Sequence, residues 1–313
     1  MKEVFFHFLN VGKGNCTIIQ FPSGYLSVID IDDSRSISER EFILEGSSKR
    51  AKLTDPVVYI TKNFNSEIFR FILTHPDMDH MSGIKELFSR KYVINFWDTD
   101  NNKYIDPNSW KNSPYNKEDW EFYQRIRRSK EDPKTLILYR GAKSECCWSQ
   151  DGIEILSPTE ELVKEANKSK DYDHLSYVLM VGFGGKKVLL CGDATKKALE
   201  NVIDHYDKKH LKCDILLAPN HGSPHHISKE ILDVFDPDLT IVSVINGTDY
   251  ARELYSRYGI VLSTKYYGNI WVRIKENGQI YFRTEYRNYN GQWYELKHEL
   301  ENKKIKRLIT GLL

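Results

Sequence analysis

The chain has 313 residues, 40% hydrophobic and 28% charged, ordinary proportions for a folded domain large enough to bury a substantial core. Lys and Arg number 45 against 44 Asp and Glu, so the net charge of +1 excludes a global field for a polyanionic partner but not a local basic patch. Five cysteines without CxxC spacing (Cys16, Cys146, Cys147, Cys191 and Cys213), no long apolar run and no signal-peptide pattern predict free thiols, a cytoplasmic location and no membrane contact.

VFFHFL and CTIIQF read as strands joined by a glycine turn, GKGN, and YLSVIDI is a third strand ending in the acidic run DIDDS. Residues 34 to 65 give no clear pattern. IFRFILTH is a short apolar strand that runs straight into THPDMDH, and MSGIKELFSRK follows as an amphipathic helix. VINFWDTD is the next strand. Residues 100–150 change character, rich in Asn, Lys, Trp and Tyr, with WEFYQRIRRSK as a helix carrying aromatic and basic faces. Adjacent Cys146 and Cys147 are redox-active, metal-binding or simply incidental thiols. Regular patterning then resumes: GIEILSP is a strand, SYVLMVGFGGKKVLLCGD a hairpin, ATKKALENVIDHY a helix, CDILLAP a strand, SKEILDVF a helix and LTIVSV a strand. GNIWVRIKENGQIYFRTEY is a second hairpin, and ELKHELENKKIKRLI a basic amphipathic helix. Strands come first in each half and helices follow, which predicts an α/β architecture of two packed sheets with helices outside.

THPDMDH places His75, Asp77, Asp79 and His80 at a strand's end, where the backbone leaves the sheet and alternate side chains can converge. A helix would scatter the same four around its circumference. Aspartate and histidine suit zinc, manganese or iron. The plainer alternative is a solvated loop whose aspartate caps the next helix. Two further strands end on ligand types: KKVLLCGDA on Asp193, and DILLAPNHGSPHH on Asn220, His221, Gly222 and Ser223. Each alone could be a helix cap or a loop histidine. Together they favour a metal site gathered onto a rigid scaffold.

HPDMDH, then GD, then HGS resembles the metallo-β-lactamase fold, whose leading motif is usually HxHxDH. With Asp77, an early LNVGKGN and a late NHGS, the chain is most similar to the hydrolase domain of bacterial DNA-uptake (competence) channel proteins. The resemblance spans roughly residues 3–285 apart from the middle insertion. It implies an αββα sandwich with a two-metal site at one sheet edge. The domain would run over 1–285, with a variable insertion at 100–150 and a basic helical extension at 286–313. It implies His75 and Asp77 on one ion and Asp79 and His80 on the other, with Asp193 bridging and His221 completing the second. His174 is either the remaining ligand or an exposed histidine leading its strand, while Asp173 and Ser176 occupy the branch's Asn-x-x-Ser-like pattern. Asn10 and Asn15 stand where the branch often has aspartates, in turn or supporting roles. Asp30 remains to support the metal loop, and Asn220 replaces the first histidine of HHGS.

Two divalent ions, zinc or manganese with iron as the alternative, would activate a water and clamp phosphodiester oxygens. Asp79 would accept the proton, while His221 and Ser223 would complete the catalytic set. Ser223 and Gly222 offer donors to a phosphate oxygen. His225 or His226 would protonate a leaving group, unless both are only polar loop residues. Lys265 lies at the site mouth or is simply solvated. In and beside the insertion, Trp97, Trp110, Trp120, Tyr123, Arg125, Arg127 and Arg128 combine rings and cations as single-strand-binding surfaces do; alternatively the aromatics pack onto the core. The insertion or the C-terminal helix could also contact a protein partner. The favoured expectation is a phosphodiesterase or nuclease acting on DNA or RNA. The others are a hydrolase of small esters, lactams, thioesters or cyclic nucleotides, and a binding subunit for nucleic acid or a partner protein. The filled ligand positions favour an enzyme.

Overall fold

Alternation in VFFHFL produces the strand Glu3–Phe8, with Val4, Phe6 and Phe8 buried on one face and Phe5 and His7 half-exposed on the other. The computed structural model describes residues 1–33, 41–43, 50–144, 148–244 and 248–310. Cys146 and Cys147 lie outside the described residues; Cys16, Cys191 and Cys213 are free and buried. Among the described residues no helix is long and apolar enough to cross a membrane.

Two mixed sheets form the centre. The first has the order Lys134–Ile137, Val93–Asp98, Ile68–Ile72, Leu26–Ile29, Thr17–Gln20, Glu3–Phe8, Ile270–Lys275, Ile280–Thr284 and Tyr294–Glu295. Its first four strands are parallel and the rest antiparallel. The second runs Ile153–Ser157, Val178–Phe183, Lys186–Leu190, Ile215–Leu217, Leu239–Val242 and Ile260–Ser263, with the last four parallel. Val4, Phe6, Trp97, Leu179, Val272 and Phe282 belong to the core between the sheets. The helices Pro56–Asn63, Ile84–Arg90 and Lys117–Ile126 cover the outer face of the first sheet, and Lys196–His205 and Lys229–Phe235 that of the second. This is the αββα sandwich that the resemblance implied.

Pro56–Asn63 falls in the stretch that showed no pattern; its start is fixed by Asp55, which accepts the Val58 N–H at 2.8 Å, and by Pro56 in the first turn. Residues 100–150 are built into the sandwich. Lys134–Ile137 adds a parallel strand beside Val93–Asp98, and Lys117–Ile126 buries Trp120 and Tyr123 against the sheet. Trp97 is 1% exposed between the sheets. These three rings are therefore core and present no stacking surface, because the insertion's helix needs an apolar face to dock. The last segment is attached as well: Tyr294–Glu295 joins the first sheet and Leu296, at the start of the helix Leu296–Thr310, enters the inter-sheet core. One buried ion pair ties the layers near Asp151. Arg70 reaches its carboxylate at 2.6 Å with both side chains 1% exposed, and Ser23 donates to it at 2.6 Å.

Candidate metal centre

The loop after Ile68–Ile72 turns through a short 3-10 segment, Met78–His80, and Asp30 fastens it. The Asp30 carboxylate accepts from Thr74 N, Thr74 Oγ1 and His80 Nδ1, each at 2.8 Å. A carboxylate can only accept here, so Nδ1 carries the proton and His80 Nε2 is free to face inward. The second strand end reaches Asp193 through Gly192. Gly192 has φ +50°, and a Cβ there would lie 2.4 Å from Ser176 Oγ and 3.0 Å from Thr74 Cβ, so only glycine lets the two sheet ends approach. Ser176 Oγ in turn accepts the Asp193 N–H at 3.1 Å. At the third strand end Asn220 and His221 take left-handed backbone angles, φ 42° and 53°. Asn220 N donates to Gly192 O at 3.0 Å, and His221 Nδ1 donates to Ser243 O at 3.1 Å, which again leaves Nε2 facing the site. The GKGN turn closes over this edge: a Cβ on Gly14 would sit 2.0 Å from Asp79 O.

Three overlapping groups result, each with potential ligand atoms within 4.8 Å of one another: His75, Asp77 and Asp173; Asp79, His80 and His221; and His75, His80 and Asp193. His75 Nε2 lies 3.5 Å from Asp173 Oδ1 and 4.0 Å from Asp77 Oδ1. Asp193 Oδ2 lies 3.4 Å from His80 Nε2 and 3.2 Å from His221 Nε2. His80 Nε2, His221 Nε2 and Asp193 Oδ1 are buried with no hydrogen-bond partner. Such atoms cost roughly 1–3 kcal/mol each when left unsatisfied, and cations held by these groups would offset that cost. The imidazole and carboxylate donors fit a borderline divalent ion.

The charges are mutually dependent. Burial alone would raise the Asp193 carboxyl, but His221 and His80 hold it well below the usual range. Burial would lower His80, yet Asp193 and Asp30 push it well above an ordinary histidine; Asp193 raises His221 against the same penalty. Burial pushes Asp173 up to about 6 despite the pull of His75.

His75, Asp77, Asp79, His80, Asp193 and His221 thus come together, whereas His174 lies apart. Its Nδ1 is 2.7 Å from Thr195 Oγ1 and its Nε2 3.5 Å from Asp171, while neighbouring Asp173 faces His75. Asn220 Nδ2 donates to Asp173 Oδ2 at 3.0 Å, so Asn220 serves the site by orienting a carboxylate. His225 is exposed; His226 is the imidazole facing the centre, with Nε2 3.8 Å from Asp173 Oδ2. Ser223 closes the turn, its N–H donating to Asn220 O at 2.9 Å and its Oγ accepting from His225 N at 3.4 Å. Two expected substrate contacts need correcting. Arg127 is buried, donating to Asn101 O at 2.6 Å with Nε 3.4 Å from Asp98, so it braces the insertion from inside; Arg128 beside it is exposed. Lys265 is also buried and not solvated, its Nζ donating to Thr248 O at 2.8 Å and lying 5.3 Å from the Tyr250 ring. A residue with no sequence signal is Lys103, whose ammonium donates to Asp77 Oδ1 and lies 5.3 Å from the Tyr172 ring.

No known family's sequence profile matches the chain, and no curated protein matches it by sequence. Among solved structures it is similar to Igni18, described as a novel metallo hydrolase from Ignicoccus hospitalis KIN4/I, with TM-score 0.44, 11% identity, and coverage of 89% of this chain and 98% of that one. It is also similar to the E377D mutant of the CmlA β-hydroxylase, at TM-score 0.47 and 13% identity over 86% of this chain and 54% of that one. A third similar structure is a candidate zinc-dependent hydrolase of the metallo-β-lactamase superfamily from Thermotoga maritima, at TM-score 0.36, 11% identity, and coverage of 82% and 98%. None of these reaches a TM-score of 0.5, and the chemistry rests on this chain's own side chains.

Proposed function

We propose that the chain is a metal-dependent hydrolase that cleaves phosphodiesters in DNA or RNA. The observation that carries this reading is the set of buried, unpartnered atoms, His80 Nε2, His221 Nε2 and Asp193 Oδ1, converging from three strand ends. In this reading His75, Asp77 and Asp173 hold one ion, Asp79, His80 and His221 the other, and Asp193 lies between them. Divalent ions held there would supply Lewis acidity toward a phosphoryl oxygen and an activated water near neutral pH. Asp79, less buried than His80, keeps a carboxylate oxygen for the water's proton. Asn220 holds Asp173 in position, and His226, its Nε2 3.8 Å from Asp173 Oδ2 and its imidazole kept toward the neutral form by burial, faces the space a leaving oxygen would occupy. The resemblance through Asp77, LNVGKGN and NHGS favours a phosphodiester over an ester or lactam.

The test measures metal content by mass spectrometry together with hydrolysis of single-stranded DNA, RNA, bis(p-nitrophenyl) phosphate, cyclic nucleotides, a thioester and a chromogenic lactam. The reading expects at least one ion per chain and diester cleavage that chelator abolishes and Asp79→Asn reduces at least 100-fold. Less than one equivalent of zinc, manganese or iron, or turnover confined to lactam or thioester, would refute it.

A further inference from the structure

We propose that Lys13 and Lys103 are positioning residues that hold a phosphate backbone on the two sides of the metal centre, so that the substrate is a polynucleotide strand and not a small diester. This rests on the phosphodiester reading above. Lys13 lies in the GKGN turn, 60% exposed, with Nζ 3.8 Å from Asp79 Oδ2 of one ligand group. Lys103 is 18% exposed and donates to Asp77 Oδ1 of the other.

Sheet order sets them on opposite flanks. The strand feeding the metal loop, Ile68–Ile72, has Val93–Asp98 on one side, and Lys103 follows that strand. On the other side lie Leu26–Ile29, Thr17–Gln20 and Glu3–Phe8, and Lys13 sits in the turn joining the last two. Neither position is accidental. A Cβ on Gly14 would lie 2.0 Å from Asp79 O and 2.4 Å from Asp32 Cβ, so the turn that carries Lys13 sits directly against the metal loop. The Lys103 segment is clamped to the helix Glu160–Ser169: Asn102 N donates to Asn167 Oδ1 at 2.7 Å, and Asn167 Nδ2 donates to Asp100 O at 2.8 Å.

Beyond Lys103 an open cleft of about 490 Å³ continues between this segment and Asp171–Asp173, with Lys170 and Tyr104 on its wall. Tyr104 is 76% exposed, a ring on which a base can stack. A carboxylate-rich centre repels a polyanion, so cations are needed where flanking phosphates approach. A small diester has no flanking phosphate and would use neither lysine.

The test compares full-length, metal-loaded wild type with Lys13→Gln, Lys103→Gln and the double variant, with Lys164→Gln on an outer helix as control. Substrates are a fluorescein-labelled single-stranded oligonucleotide and bis(p-nitrophenyl) phosphate. We expect KM for the oligonucleotide to rise about 5–10-fold per lysine, a loss several times that on the small diester. The dependence of log KM on log salt should flatten by about one unit per lysine. Anisotropy with a phosphorothioate oligonucleotide should show the same loss of binding, with unchanged metal content. Equal losses on both substrates, or loss of an ion in Lys103→Gln, would make these residues structural and overturn the proposal. So would oligonucleotide binding indifferent to both lysines. If wild type cleaves neither diester, the phosphodiester reading fails with it; if it cleaves only the small one, metal-dependent diester hydrolysis stands, while this proposal and the choice of DNA or RNA as substrate fall.

Discussion

Asp173 and His174 are adjacent, and their substitution separates a ligand from a neighbour. Asp173 Oδ1 lies 3.5 Å from His75 Nε2, while His174 is turned to Thr195 at 2.7 Å. On the proposed two-ion reading, Asp173→Asn should therefore lower the metal content by one ion. With ions at a hundred times their dissociation constant, one bound ion adds about 2.7 kcal/mol of stability. At roughly 1.5 °C per kcal/mol for a chain of 313 residues, the variant should lose about 4 °C of melting temperature with metal present. In chelator the two proteins should melt close together, because the amide can still accept from Asn220. His174→Ala loses one hydrogen bond, about 1 kcal/mol, and should melt roughly 1–2 °C lower equally with metal and with chelator. Differential scanning calorimetry in both conditions, with metal counted by mass spectrometry, reads all four states. The reverse pattern, a full complement in Asp173→Asn and a missing ion in His174→Ala, would refute the ligand set.

Asp30→Asn leaves a single amide oxygen for the three donors that Thr74 and His80 present and turns an NH2 group toward them, so calorimetric titration should show metal affinity lower by roughly 10–100-fold with the circular dichroism spectrum unchanged. Because burial raises Asp173 from 3.8 to about 6, its carboxyl is protonated below that pH and cannot ligate. Affinity at the first group should accordingly fall about tenfold per unit as pH drops below about 6, and Asp173 should add no pH dependence above 7. Gly192→Ala forces a side chain against Ser176 and Thr74 at φ +50° and should cost about 2 kcal/mol or more, seen as a lower denaturation midpoint together with weakened metal binding. Asp151→Ala strands the buried Arg70 cation and should cost roughly 3–5 kcal/mol, while metal content, measured on the folded protein, stays at the wild-type value.

The sandwich was readable because its strands are short apolar runs bounded by glycine and polar turns, and because its helices carry a 3.6-residue stripe. The strand ends were readable for a related reason: a polar side chain a few residues past an apolar run is carried to the sheet edge by the strand itself, as with His75, Asp193 and His221. What could not be read depends on contacts across the fold. Asp173 and His174 are equivalent in local pattern, and only the 3-10 turn Tyr172–Leu175 decides which of them faces His75. Lys103 looks like any lysine in a polar stretch until the Asn102–Asn167 clamp brings it to Asp77. RIRR has the composition of a nucleic-acid contact, but burial of Asp98 draws Arg127 inward: the carboxyl is raised to about 7 by desolvation against the opposing pull of Arg127. A cation recruited to offset a buried acid is unavailable to a substrate. Lys13 and Lys103 differ from Arg127 in that the carboxylates beside them, Asp79 and Asp77, belong to the candidate metal groups, where a bound cation would take over the neutralising charge.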